Sequence, residues 1–204
     1  MRIPLQKLIV ASYNDHKVKE LTLLFRNTPL DVVGLRSLSS TIELKEEGET
    51  FAENALQKAR TVFAVTHEAT LADDSGLEVV ALGGAPGVFS ARYAGEGATD
   101  EDNNKTLLRA LRGIRDRRAR FVSVLAFIYE EGGRVKEELF RGELEGEIVT
   151  EPRGTNGFGY DPLFYVPSLG KTLAELDTNQ KNVLSHRARA FQKFKAWLDG
   201  SAST

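Results

Sequence analysis

Leu8-Ile9-Val10-Ala11-Ser12-Tyr13-Asn14-Asp15-His16-Lys17 is the stretch on which the fold turns. Four apolar residues of β character stop at a polar run, and residues 17–25 then place apolar side chains at helical spacing. The order is strand, polar loop, helix. Open α/β sheets take ligands beyond the carboxyl ends of their strands, so residues 12–17 lie where a ligand is expected.

Working outward, Val32-Val33 reads as a second strand, and Thr50-Phe51-Ala52-Glu53 has the spacing of a capping box that opens a helix reaching about His67. The acidic run Glu46-Glu47-Gly48-Glu49 precedes it. Thr70-Leu71-Ala72 reads as a buried strand that ends in Asp73-Asp74-Ser75-Gly76, with extended structure resuming over residues 77–80. Gly83-Gly84-Ala85-Pro86-Gly87 is a break, after which Thr99 caps a helix that turns Leu107, Leu108 and Leu111 inward and runs to about Arg112. Residues 121–129 carry the strongest strand signal, and Glu131-Gly132-Gly133-Arg134 turns them into a partner strand over residues 135–143. Ser185 caps a last helix reaching Trp197, and residues 200–204 are expected to fray. Alternating strands and helices, interrupted by a long hairpin, predict an α/β fold with a mixed central sheet flanked by helices. With no repeat, linker or low-complexity tract, residues 1–204 read as a single domain.

The 204 residues are 41% hydrophobic and 27% charged, with a formal net charge of −2, so composition favours neither a nucleic-acid nor an acidic-membrane surface. Cysteine is absent, which excludes disulfides, thiolate nucleophiles and thiolate metal sites together. Met1-Arg2-Ile3-Pro4-Leu5 lacks a signal-peptide core, and no apolar run reaches the roughly 20 residues of a membrane span. A cytoplasmic protein is the expectation.

Four groups of residues carry chemistry. Asp73 and Asp74 follow a β-type run, and with Glu46 they offer hard oxygen ligands suited to Mg²⁺, phosphate oxygens and water; the same Asp-Asp-Ser-Gly run is also what a plain turn prefers. Ser12, Asn14 and Lys17 offer a hydroxyl, an amide and an ammonium at a helix start, a phosphate grip or simply a helix cap. Gly154-Thr155-Asn156-Gly157-Phe158-Gly159-Tyr160-Asp161-Pro162 puts two aromatic rings and a carboxylate into a glycine-rich turn, fit either to cradle phosphate or to line a slot for a flat ring. Lys181 with Ser185-His186-Arg187 adds donors able to read a base or a phosphate. His16 and His67 read on their own as ordinary polar positions, and the arginines of residues 109–120, with no interleaved aromatics, read as a solvated face rather than an RNA platform.

Taken together the motifs resemble one family. Ser12-Tyr13-Asn14-Asp15-His16-Lys17, Glu49-Thr50-Phe51-Ala52-Glu53-Asn54-Ala55 with Lys58, Ala72-Asp73-Asp74-Ser75-Gly76-Leu77, and Gly157-Phe158-Gly159-Tyr160-Asp161-Pro162 leading to Ser185-His186-Arg187 follow the order of the inosine/xanthosine triphosphate pyrophosphatases, the Ham1-like proteins. The resemblance implies an elongated, two-lobed α/β protein with a central cleft, usually a homodimer. It implies Mg²⁺-dependent hydrolysis of ITP, dITP and XTP to monophosphate and pyrophosphate, with a purine nucleoside triphosphate as partner and neither membrane nor nucleic acid. By this resemblance Ser12, Tyr13, Asn14, Asp15, His16 and Lys17, with Ser75, grip the triphosphate. Glu46 and Asp74 hold Mg²⁺, Asp74 activates water, and Phe158, Gly159, Tyr160, Asp161, Lys181, His186 and Arg187 bind the nucleoside. Two positions depart from the family pattern: Tyr13 stands where a small residue is common and Asn156 where glycine is frequent. A positive φ at Tyr13 would strain it.

Overall fold

The computed structural model describes residues 5–38 and 41–200. Among them seven strands form one sheet in the order β2-β1-β3-β4-β5-β6-β7: β1 Lys7–Val10, β2 Asp31–Gly34, β3 Thr70–Val79, β4 Arg118–Glu131, β5 Arg134–Ile148, β6 Phe164–Val166 and β7 Lys171–Thr172. β1 pairs parallel with β2 (Lys7 beside Asp31) and with β3 (Ile9 beside Thr70). β6 pairs antiparallel with β5 and β7, so the sheet is mixed, as the alternation and the hairpin predict. Gly132 and Gly133 join β4 to β5 with φ of 58° and 73°, the left-handed pair a two-residue hairpin turn requires.

Helices α1 Asp15–Leu24, α2 Phe51–Thr66, α3 Asp100–Ala110, α4 Thr178–Leu184 and α5 His186–Leu198 complete the α/β fold. A capping box opens α2 at Thr50, as the sequence predicts, and the cap expected at Thr99 of α3 is a capping box as well. Ser185 ends α4 immediately before α5. α4 itself, opened by a capping box at Asp177, and the short β6 and β7 have no counterpart in the expectations. β3 also differs from its prediction. It runs unbroken through Asp73-Asp74-Ser75-Gly76, residues poorly suited to strands, because donors from neighbouring elements meet both carboxylates. The tail expected over residues 200–204 lies outside the described residues beyond Gly200, as do residues 1–4.

The chain divides into two compact units. Unit 1 takes the residues up to Asp74, Ser123–Gly142 and those from Arg187 onward. Its core joins Leu8, Val10 and Leu71 of the sheet to Phe191, Phe194 and Trp197 of α5, with Phe25 edge-on to Phe191 at 4.7 Å between centroids. Each such side chain contributes roughly 1.5–3 kcal/mol of burial against the entropy of ordering it. Unit 2 takes Ser75–Val122 and Glu143–His186, and its core gathers Leu77, Leu107, Leu111, Phe121, Leu144, Tyr160 and Phe164. Among the described residues no helix is long and apolar enough to cross a membrane.

Candidate active site

The acidic cluster belongs to unit 1 and draws on several elements. Glu46 sits in the segment ahead of α2, and that segment is strapped to the helix by side chains of the helix itself. Asn54 Oδ1 accepts from the Gly48 amide at 2.8 Å, Gln57 Oε1 from the Glu47 amide at 3.2 Å, and Glu53 Oε2 from the Glu49 amide at 2.8 Å. A Cβ on Gly48 would stand 2.7 Å from the Glu53 Cβ, so only glycine allows this approach.

Lys58 on α2 ties the acids together. Its ammonium donates to Glu46 Oε1 at 2.6 Å, Asp74 Oδ1 at 2.9 Å and the Asp73 carbonyl at 2.9 Å, which uses all three of its protons. Burial pulls Lys58 down, but Asp74 and Glu46 outweigh it and hold the group above its ordinary value. For Asp74 the balance goes the other way: burial pushes the carboxyl up, Lys58 and Lys17 offset only part of that, and Glu46 adds to it. Asp74 Oδ2 is buried with no hydrogen-bond partner. Such an atom is costly unless the site receives something there.

Asp73, one residue earlier, is fully satisfied. Ser123 Oγ donates to its Oδ1 at 2.6 Å, and its Oδ2 takes Arg187 Nη2 and Lys17 Nζ, each at 3.1 Å. Arg187 is also paired with Glu20 of α1. Burial would raise Asp73, but Arg187, Lys17, Ser123 and Lys58 together hold it well below the usual carboxylate range.

The loop of residues 12–17 is a helix cap in its backbone and a cation in its side chains. Ser12 Oγ accepts from the Asn14 amide and Asn14 Oδ1 from the Lys17 amide, both at 3.1 Å, while Lys17 alone sends a charge toward the carboxylates. Asp15 pairs with Arg36 on the surface, and His16 is exposed. Tyr13 is not strained. Among the described residues His67 is the only non-glycine with positive φ, and the Tyr13 hydroxyl gives a bond to the Ile42 carbonyl at 2.9 Å and takes one from its amide at 3.0 Å. Ser75 follows Asp74 on β3, half-buried.

The glycine-rich turn belongs to unit 2. Asp161 is buried there, and its Oδ2 accepts from the Phe158 amide at 2.9 Å and from Lys181 Nζ at 2.6 Å. The same ammonium stands 4.7 Å from the centre of the Phe158 ring. Gly157, at φ 80°, has its missing Cβ directed into the Asp161 carboxylate, so any side chain there would break the arrangement. Gly159 donates to Asp100 at 2.6 Å and accepts from Asn104 at 2.9 Å, which pins the turn to α3. Asn156 keeps an ordinary φ and donates to the Leu176 carbonyl at 3.0 Å. His186 is buried, stacked on Phe121 at 4.7 Å and 13°.

Two residues expected against the nucleoside are held by other parts of the protein. Tyr160 packs into the core of unit 2, gives its hydroxyl to the Ser90 carbonyl at 2.9 Å and has its pKa raised by burial. Arg187 is 1% exposed, and its charge is taken up by Glu20 and Asp73. Three of the arginines of residues 109–120 are taken up within the protein. Arg117 donates to the Ile148 and Val149 carbonyls, Arg118 pairs with Asp116, and Arg120 with Glu78 and Glu143.

A sequence model of the Ham1 family matches residues 8–197, nearly the whole described chain. The chain belongs to the Ham1 family. A dITP/XTP pyrophosphatase of a Thermoanaerobacter species is 47% identical over 194 residues, covering 94% of this chain and 96% of that protein. The dITP/XTP pyrophosphatase of Staphylococcus epidermidis is 42% identical over 196 residues, covering 96% and 98%. Among solved structures, the Ham1 protein of Staphylococcus aureus superposes with a TM-score of 0.86 at 41% identity, covering 97% of this chain and all of that one. A HAM1 protein from Coxiella burnetii gives 0.87 at 42%, covering 96% and 100%. In this Ham1 chain the mixed seven-stranded sheet is therefore the family's fold.

Glu20 and Ser123 were not among the site residues the sequence suggests, Lys58 entered only as part of a motif, and Asp73 was offered as a metal ligand rather than as the partner of Lys17 and Arg187. Lys58 left a signal: it falls on the face of α2 that also carries Ala55, Ala59 and Val62, all buried, and a lysine in a buried stripe needs acid partners. Ser123 left none, since a lone serine inside a β run is commonplace.

Proposed function

We propose that this chain hydrolyses ITP, dITP and XTP to the nucleoside monophosphate and pyrophosphate, with Mg²⁺ as the metal. The observation that carries the reading is the Asp74 carboxylate, with one oxygen on Lys58 and the other buried and unpartnered. The dITP/XTP pyrophosphatase names of relatives at 42–47% identity supply the substrate class.

The donor set fits a hard divalent cation, because Glu46 and Asp74 are carboxylates and the unpartnered Asp74 oxygen offers it a ligand. Among the described residues no group of three or more His, Asp or Glu forms a ready cage, so phosphate oxygens and water would complete the shell. When bound, Mg²⁺ neutralises charge on the phosphate oxygens and lowers the pKa of water. The Asp74 carboxylate, through a lone pair that the cation leaves free, takes the proton of the water that attacks the α-phosphorus; the bond from that phosphorus to the bridging oxygen breaks, and pyrophosphate leaves. Lys58 holds Asp74 and Glu46 apart and in place, and Lys17 sets a positive charge toward the triphosphate.

Phe158, Lys181 and His186 suit the purine. The Phe158 ring offers a stacking face, and Lys181 and His186 can donate to a 6-carbonyl, which ITP and XTP present and ATP lacks. Asp161, Gly159 and Tyr160 enter this reading as the groups that hold the turn, and Arg187 as the cation that fixes Asp73. A homodimer is part of the same reading, and sedimentation as a single-chain species contradicts it.

The test is a panel of ITP, dITP, XTP, ATP and GTP with Mg²⁺, with products identified. Monophosphate and pyrophosphate from the first three, with ATP spared, is the expected result. Orthophosphate as the sole inorganic product contradicts it.

A further inference from the structure

The two neighbouring aspartates on β3 have different work. We propose that Asp73 is a positioning residue that acts through Lys17, directing its ammonium toward the triphosphate, while Asp74 is left to the chemistry. This rests on the reading of the site just given.

Successive residues of a strand point to opposite faces. Asp73 accordingly meets Lys17 of α1 and Arg187 of α5, whereas the Asp74 carboxylate meets Lys58 of α2. The Asp73 side chain has no exposed surface, and both oxygens are occupied, by Ser123 on one and by Arg187 and Lys17 on the other. It has no lone pair directed at a substrate.

Charge counting explains why Asp73 is there at all. Glu20, Arg187, Asp73 and Lys17 form a line of alternating sign. Glu20 already faces Arg187, so the further counter-charge of Asp73 is Lys17. The line is fully buried at Arg187 and Asp73 and reaches the surface at its two ends, where 12% of the Glu20 side chain and 15% of the Lys17 side chain are exposed. A lysine left to itself samples many rotamers; one moored on a rigid, ionised carboxylate presents its remaining protons in one direction. Asp73 is itself fixed from two sides, by Ser123 and by Arg187.

The experiment is a double-mutant cycle on parent, Lys17→Met, Asp73→Asn and the pair, measuring kcat/KM for ITP with Mg²⁺ at a temperature where circular dichroism shows all four folded. Calorimetric binding of inorganic pyrophosphate is the second readout. With Lys17 present, Asp73→Asn should lower kcat/KM by about 10- to 100-fold; in the Lys17→Met background it should lower it by less than about 3-fold. Pyrophosphate affinity should follow the same pattern. A merely structural role would give equal losses in both backgrounds, and that result overturns the inference while leaving the proposed function standing. A Lys17→Met enzyme as active as the parent overturns the inference alone, and a parent that does not turn over ITP overturns both. Should Asp73→Asn not fold, Ser123→Ala, which removes one donor from Asp73, carries the same cycle with a several-fold loss beside Lys17 and none without it.

Discussion

The acidic cluster of unit 1 and the aromatic turn of unit 2 both bury a carboxylate against a lysine, yet they are built to opposite ends. In unit 1 Lys58 is spread over Glu46, Asp74 and the Asp73 carbonyl, and one Asp74 oxygen is left bare. In unit 2 the single pair of Asp161 and Lys181 lies beside the Phe158 ring, with the same Asp161 oxygen also held by the Phe158 amide. An unfinished ionic cluster receives charge, and a finished pair beside a ring offers shape and a directed donor. The first suits phosphate and metal, the second a base.

The largest effect that would break this contrast is at Asp74. Asp74→Asn keeps the bond to Lys58 through its carbonyl oxygen but cannot accept a proton, so kcat for ITP should fall by about 10²- to 10⁴-fold with nucleotide binding largely kept. Rapid-quench turnover beside equilibrium binding measures both, and near-parent kcat would remove Asp74 from its role.

Stability sharpens the contrast next. Asp73→Asn leaves Arg187 paired with Glu20 but removes a buried, charged hydrogen-bond acceptor, and should cost about 1–3 kcal/mol in urea unfolding at neutral pH. The pH dependence has a definite sign. The folded pKa of Asp73 lies well below the usual carboxylate range, so its contribution is fully present above the unfolded carboxylate value and is lost as pH falls through the folded one. The parent should therefore lose stability steeply below about pH 4, and Asp73→Asn should lack that part of the slope.

A similar loss is expected at Gly157. Gly157→Ala forces a Cβ toward the Asp161 carboxylate at φ 80° and should lower stability by about 1–3 kcal/mol while weakening ITP more than ATP. Thermal unfolding and paired kinetics test it. At the bottom of the scale stands Arg118→Ala, whose exposed pair with Asp116 touches neither region, and ITP hydrolysis should not change measurably.

These regions were not equally legible beforehand. Strands, capping boxes and the α/β class follow from local pattern, because a box such as Thr50 with Glu53 is decided by residues three apart. The passage of β3 through Asp73-Asp74-Ser75-Gly76 was not legible, since what sustains it comes from Lys58, Arg187 and Ser123, distant in sequence. α4 and the two-residue β7 were missed for brevity, being too short for periodicity to declare them. Among site residues, glycine and carboxylate motifs pointed to the right segments. Which ring faces outward did not follow: Phe158 and Tyr160 are two apart in a turn where no period applies, and the Tyr160 hydroxyl finds Ser90 in the core.

The central claim, that the Asp74 cluster serves chemistry and the Phe158 turn serves choice, is tested most directly by kcat/KM for ITP and for ATP in two matched variants, Lys58→Met and Lys181→Met. The account predicts that Lys58→Met lowers both nucleotides by the same factor and leaves their ratio unchanged, whereas Lys181→Met brings the ratio toward one mainly by weakening ITP. A ratio that moves with Lys58→Met, or stays put with Lys181→Met, would contradict it.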